Sequence, residues 1–133
     1  MKKEIVHVVG MPEGTFPFSH VVKAGNMLYL TSQLSCNLLI GERLEGSIQV
    51  QTRNALENIK YLLDNANSSM HNIVDVTVYL RNLDDFDGMN QVYKTYFVPG
   101  EEPARVVVRA ESPLDGVDIE IKVTALVNDA GNM

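Results

Sequence analysis

The stretch Pro103–Ile121, PARVVVRAESPLDGVDIEI, decides the fold. Arg105 heads a valine triplet, Val106-Val107-Val108, and Ser112-Pro113 turns the chain. A second run then carries Glu120 between Ile119 and Ile121. β-branched residues at this density fit a pleated, half-buried surface, and the Pro-containing turn marks the stretch as two strands. Each strand has a charge set into it. A charge that is desolvated without a partner costs several kcal/mol. Arg105 and Glu120 therefore either satisfy each other across neighbouring antiparallel strands or line a pocket that expects a charged ligand. Spacing leaves both readings open.

Working outward, the two strands run over Arg105–Ala110 and Val117–Val127. Before them, Asp84 or Asp85 caps a helix that extends to about Phe97, with Phe86, Met89, Tyr93 and Phe97 on one stripe and Pro99-Gly100 ending it. Ile73–Leu80 reads as a strand, with Asp75, Thr77 and Tyr79 set between its apolar residues. Ser47 offers an N-cap to a long helix on which Ile48, Ala55, Leu56, Ile59, Leu62, Leu63 and Ala66 recur at helical spacing. Cys36–Gly46 is a loop. Ser19–Lys23 and Met27–Gln33 form a hairpin around Ala24-Gly25-Asn26, and Ile5–Val9 is a first short strand. The order β-ββ-α-β-α-ββ predicts an α+β fold with both helices on one face of the sheet. The valines at 76, 78 and 106–108 make the other face too apolar for water, which predicts an oligomer that covers it.

The 133 residues predict one domain spanning 1–133. With 45% hydrophobic and 21% charged residues the composition is that of an ordinary globular protein. The formal charge of −6 argues against nucleic-acid or anionic-membrane partners, since such binding rests on neutralising phosphate. One cysteine, Cys36, cannot form an internal disulfide and suits a reducing compartment. Glu4 and His7 interrupt any signal-like apolar run, and no stretch approaches a membrane span, so the expectation is a cytoplasmic protein. Gly41–Ser47 lacks the lysine of a phosphate loop. In Asp84–Gly88 the glycine comes too early for a calcium loop. His7, His20 and His71 share no metal-ligand spacing, and Cys36 has no basic neighbour in sequence. No metal, cofactor or covalent nucleophile is expected.

Four segments resemble the YjgF/RidA family of reactive-intermediate deaminases, whose older names are the L-PSP endoribonuclease and translation-inhibitor family. They are Pro17-Phe18-Ser19-His20 with Gly25-Asn26-Met27, then Thr31-Ser32-Gln33, then Ile73–Leu80 with Phe86, Met89-Asn90 and Tyr93, and finally Pro103-Ala104-Arg105 through Glu120-Ile121. The resemblance runs from Pro17 to Val127. It implies a chorismate-mutase-like fold, a homotrimer with a barrel-like centre, and clefts between subunits. It also implies hydrolysis of enamines or imines, such as 2-iminopropionate, to 2-keto acids and ammonia. Arg105 would clamp the substrate carboxylate and Glu120 would orient water, with Phe18, Thr31, Ser32, Asn90 and Val107 lining the cleft. The chain departs from the family pattern at Phe18 (usually tyrosine), Ser32 (usually glycine) and Val107 (often cysteine). Those departures keep open a non-catalytic binder of small carboxylates. The acidic balance and the lack of a basic stripe count against a ribonuclease.

Overall fold

Residues 1–12 and 16–129 are described by a computed structural model, in which six strands form one sheet and two helices pack against one of its faces. In chain order the elements are β1 (Lys3–Ile5), β2 (Val21–Ala24), β3 (Met27–Leu30), β4 (Cys36–Asn37), β5 (Glu42–Arg43), α1 (Ile48–Asp64), β6 (Ile73–Leu80), α2 (Phe86–Tyr93), β7 (Ala104–Arg109) and β8 (Ile119–Leu126). The sheet order is β1-β2-β3-β8-β6-β7, and β4 and β5 make a separate two-stranded ribbon. All pairings in the sheet are antiparallel except β6 with β7, which is parallel. A helix joining two strands returns the second in the direction of the first, and α2 is that crossover.

Helix α1 begins where its cap predicts. Ser47 Oγ accepts from the Val50 N–H at 3.2 Å. The helix ends as Asn67 takes a left-handed φ of 57° and the Ser68 N–H returns to the Leu63 carbonyl at 3.0 Å. Its buried face carries Ala55, Leu56, Ile59, Leu62 and Leu63, which join Val76, Val78 and Leu80 of β6 and Ile119, Ile121, Val123 and Ala125 of β8 in one core. Leu56 is fully buried, so Leu56→Ala should cost about 2–5 kcal/mol in a urea unfolding experiment, as the lost transfer energy and the cavity add.

Several sequence expectations shift. The first strand is Lys3–Ile5 rather than Ile5–Val9, because its partner β2 spans only Val21–Ala24 and the pairing runs out at Ile5 opposite Val22. The 36–46 loop contains the β4–β5 ribbon. Helix α2 stops at Tyr93 and continues as a 3-10 turn over Lys94–Tyr96. Neither Asp84 nor Asp85 supplies a capping side chain; Asn82 does, accepting from the Asp84 N–H at 3.0 Å. The largest correction concerns β7 and β8. They are not neighbours, because β6 lies between them. Val76 and Val78 turn toward the helices and are buried, so the opposite face is less apolar than expected. That face presents Val106, Val108 and Tyr29 among Thr77, Glu120, Lys122 and Thr124. No helix among the described residues is long and apolar enough to cross a membrane.

Candidate functional site

Arg105 is the second residue of the edge strand β7, on the face that meets α2. Its Nη1 donates to Asn90 Oδ1 at 2.6 Å. Its guanidinium carbon lies 4.6 Å from the centre of the Tyr93 ring and 5.9 Å from that of Phe86. Phe86, Asn90 and Tyr93 stand at i, i+4 and i+7 of α2, so one helix face supplies all three contacts. Guanidinium has five N–H donors, and the bond to Asn90 spends one. The others are left to serve the adjoining cavity of about 750 Å³, walled by Asn90, Tyr93, Phe97, Pro99, Pro103 and Arg105. Lys94 and Glu102 line it as well, so two cations and one carboxylate are set among aromatic and prolyl surface, which suits a small anion with an apolar body.

Tyr93 is buried under Arg105, and its hydroxyl has no hydrogen-bond partner among the described residues. Burial pushes its phenol up to about 12, against a smaller opposing pull from Arg105. Tyr96 is also raised, by burial and by its 2.6 Å hydrogen bond to Glu57 Oε2. A phenol raised in the folded state keeps its proton after the unfolded chain has lost it. Stability is therefore intact below about pH 10 and falls as pH climbs toward about 12. Tyr93→Phe should flatten part of that decline in urea midpoints measured across the alkaline range.

Glu120 belongs to the opposite face. Its neighbours Ile119 and Ile121 are 1% and 0% exposed beneath the helices, so alternation turns Glu120 outward. Ser32 Oγ donates to Glu120 Oε1 at 2.8 Å. Gln33 and Ile121 exchange two backbone hydrogen bonds of 2.8 Å each, which fixes this segment against β8. The Thr31 N–H donates to the His20 carbonyl at 3.0 Å. A cavity of about 340 Å³ opens here, lined by Ser32, Tyr79, Ser112, Pro113, Glu120 and Lys122.

The loop over this cavity is held from behind by Gln51 of α1, which is 3% exposed. Gln51 Nε2 donates to Asp118 Oδ2 and to the Gly46 carbonyl, each at 2.9 Å, and Gln51 Oε1 accepts from the Asp118 N–H at 3.0 Å. Arg43 donates to the Asp115 carbonyl from the ribbon side.

Arg105 and Glu120 do not meet within one copy of the chain. Arg105 is in register with Val76, and Val76 with Val123; Glu120 is in register with Tyr79. The two are thus two strands apart, displaced by about 10 Å along the strands, and on opposite faces of the sheet. A direct cross-strand ion pair between them is ruled out by the intervening β6. The expected site residues fall into two groups: Asn90 and Arg105, with half-buried Val107 two residues along β7, and Thr31 and Ser32 with Glu120. Phe18 joins neither cavity. It is 49% exposed, stacked on Phe16 at 5.2 Å and edge-on to His20 at 5.4 Å. Tyr93 and Gln51 are the contributors that pattern reading passes over.

The Endoribonuclease L-PSP family model matches residues 10–127. A RutC family protein of Pyrococcus horikoshii is 41% identical over 124 residues, which cover 92% of this chain and 97% of that protein. A 2-iminobutanoate/2-iminopropanoate deaminase of the mite Dermatophagoides farinae is 32% identical, covering 89% of this chain and 93% of the mite protein. Among solved structures, RidA from the Antarctic bacterium Psychrobacter superposes with a TM-score of 0.82 at 27% identity, covering 93% of this chain and 99% of RidA. A mixed sheet with two helices on one face is thus a fold this chain shares with solved relatives. The chain belongs to the YjgF/RidA family.

Proposed function

We propose that this chain hydrolyses small 2-imino acids, such as 2-iminopropionate, to 2-keto acids and ammonia, at clefts formed between copies of itself in a homotrimer. The observation that carries the proposal is the division of the site. Arg105 and Glu120 each line a cavity that is open at the surface, on opposite faces of one sheet. A rotational assembly that sets the Arg105 cavity of one copy against the Glu120 cavity of the next completes one site per interface.

In the composite site the free donors of Arg105 hold the substrate carboxylate, and Asn90 and Tyr93 keep the guanidinium in place. Glu120 accepts a hydrogen bond from water and aims it at the imine carbon. Oxygen adds to that carbon as the imine nitrogen takes up a proton, giving a carbinolamine. The carbinolamine then expels ammonia as the carbonyl forms. The imine is already activated, so orientation and charge placement suffice. Thr31 and Ser32 border the water side, and Val107 flanks Arg105. Phe18 reaches the cleft only as part of the assembled trimer.

Addition of the purified protein to an amino-acid oxidase acting on alanine should speed 2-keto acid release. No acceleration, with an active family member run in parallel, would refute the proposal. One observation favours a second reading, a binder of 2-keto acids without turnover: Ser32 already occupies one oxygen of Glu120 at 2.8 Å. Calorimetry showing pyruvate binding alongside an absence of deamination would establish that reading.

A further inference from the structure

Glu120 faces its cavity with one oxygen already committed to Ser32. The serine is itself tightly tethered. Gln33, the next residue, is bonded to Ile121 in both directions, and Lys122 Nζ donates to the Leu30 carbonyl at 2.7 Å. The segment from Leu30 to Gln33 is therefore pinned to β8 on either side of Ser32. Lys122 has a second importance. It stands two residues beyond Glu120 on the same face and lines the same cavity. An ammonium and a carboxylate so placed attract each other in a partly desolvated cleft. In this structure they do not pair: the ammonium goes to a backbone carbonyl and the carboxylate to a hydroxyl.

We propose that Ser32 is a positioning residue that holds Glu120 in the orientation presenting its second oxygen to the attacking water, and that keeps this carboxylate from collapsing onto Lys122. The inference rests on the reading of Glu120 as the water-orienting group. Serine suits the task because its hydroxyl is a short donor on a tethered backbone, so the hydrogen bond carries direction as well as attraction. An alanine at this position removes the Ser32 donor from Glu120 Oε1 and leaves Lys122, which lines the same cavity, as a competing cation. A carboxylate bound to that ammonium no longer points at the water.

The test is a steady-state comparison in the oxidase-coupled assay. Ser32→Ala should lower kcat about tenfold, the equivalent of one hydrogen bond to a charged group, with KM within about twofold of the parent. Ser32→Thr, which keeps a hydroxyl, should restore kcat. Ser32→Ala combined with Lys122→Met should regain part of it, because the competing cation is gone. Ser32→Gly removes the same hydroxyl without touching the backbone tethers and gives the same reading if the alanine variant is insoluble. A parental kcat in both hydroxyl-free variants overturns the inference, as does a loss confined to KM. Glu120→Gln separates the two levels. If it retains the parental kcat, the role of Glu120 fails and this inference with it; if it loses kcat while Ser32→Ala does not, only the role of Ser32 falls.

Discussion

Arg105→Ala should reduce kcat/KM for 2-imino acids by about 10²–10³-fold, because it removes a forked, charge-assisted grip on the substrate carboxylate that neither Asn90 nor Tyr93 can replace. The fold should survive. Arg105 lies on an edge strand and is exposed, and its listening partners on α2 are an amide and aromatic rings rather than buried charges. Removing it uncovers the Tyr93 ring but strands no ion, so the thermal midpoint should move by only a few degrees at most. Calorimetry with pyruvate provides an independent measurement, with binding lost in the variant. Undiminished activity together with undiminished pyruvate binding would remove Arg105 from the site altogether.

The second large effect appears when two inactive variants are mixed. Arg105→Ala keeps an intact Glu120 half, and Glu120→Gln keeps an intact Arg105 half. If each site draws its halves from adjacent copies, unfolding and refolding the two together creates some interfaces with both intact halves. Random mixing in equal amounts gives such an interface roughly one time in four, so activity should rise from near zero to about a quarter of the parental value. A site built within one copy cannot be rescued in this way, and the mixture would stay as inactive as its components. The distance along the strands, the two-strand separation and the opposite facing of Arg105 and Glu120 all favour recovery.

Residue identities in this site are legible in the sequence far more readily than their proximities. Arg105 and Glu120 stand out because each interrupts a β-branched run. Their apparent adjacency came from Ser112-Pro113, which looks like a hairpin turn between consecutive strands. The loop is long enough to pass β6 instead, and β6 takes the place between them. The signal for that arrangement was present: a strand, a helix and a strand in succession form a parallel unit, and β6–α2–β7 does so. Helix α1 was legible in nearly all its length because Ser47 and the apolar stripe are local features. Gln51 was not. It lies off that stripe, and its burial makes sense only through three hydrogen bonds to Gly46 and Asp118, a partner far away in sequence. By spacing alone Tyr93 is one more aromatic on the apolar stripe of α2. The cue to its second role was Asn90, a polar residue one turn earlier on the same helix face.

The position of β8 also governs how the protein can be made. It follows the other five strands of the sheet in the chain, yet it lies in the interior of the sheet, between β3 and β6. Until it emerges, the N-terminal hairpin and the β6–β7 pair have no shared partner, and the apolar side of each stays without its central row of isoleucine and valine. Closure of the sheet must therefore wait for β8 and then proceed through long-range pairings, which are slow to form. The same step delivers Glu120. A chain cut short before β8 loses the structural keystone and the carboxylate together, so incomplete translation yields no partly functional subunit to enter the assembly.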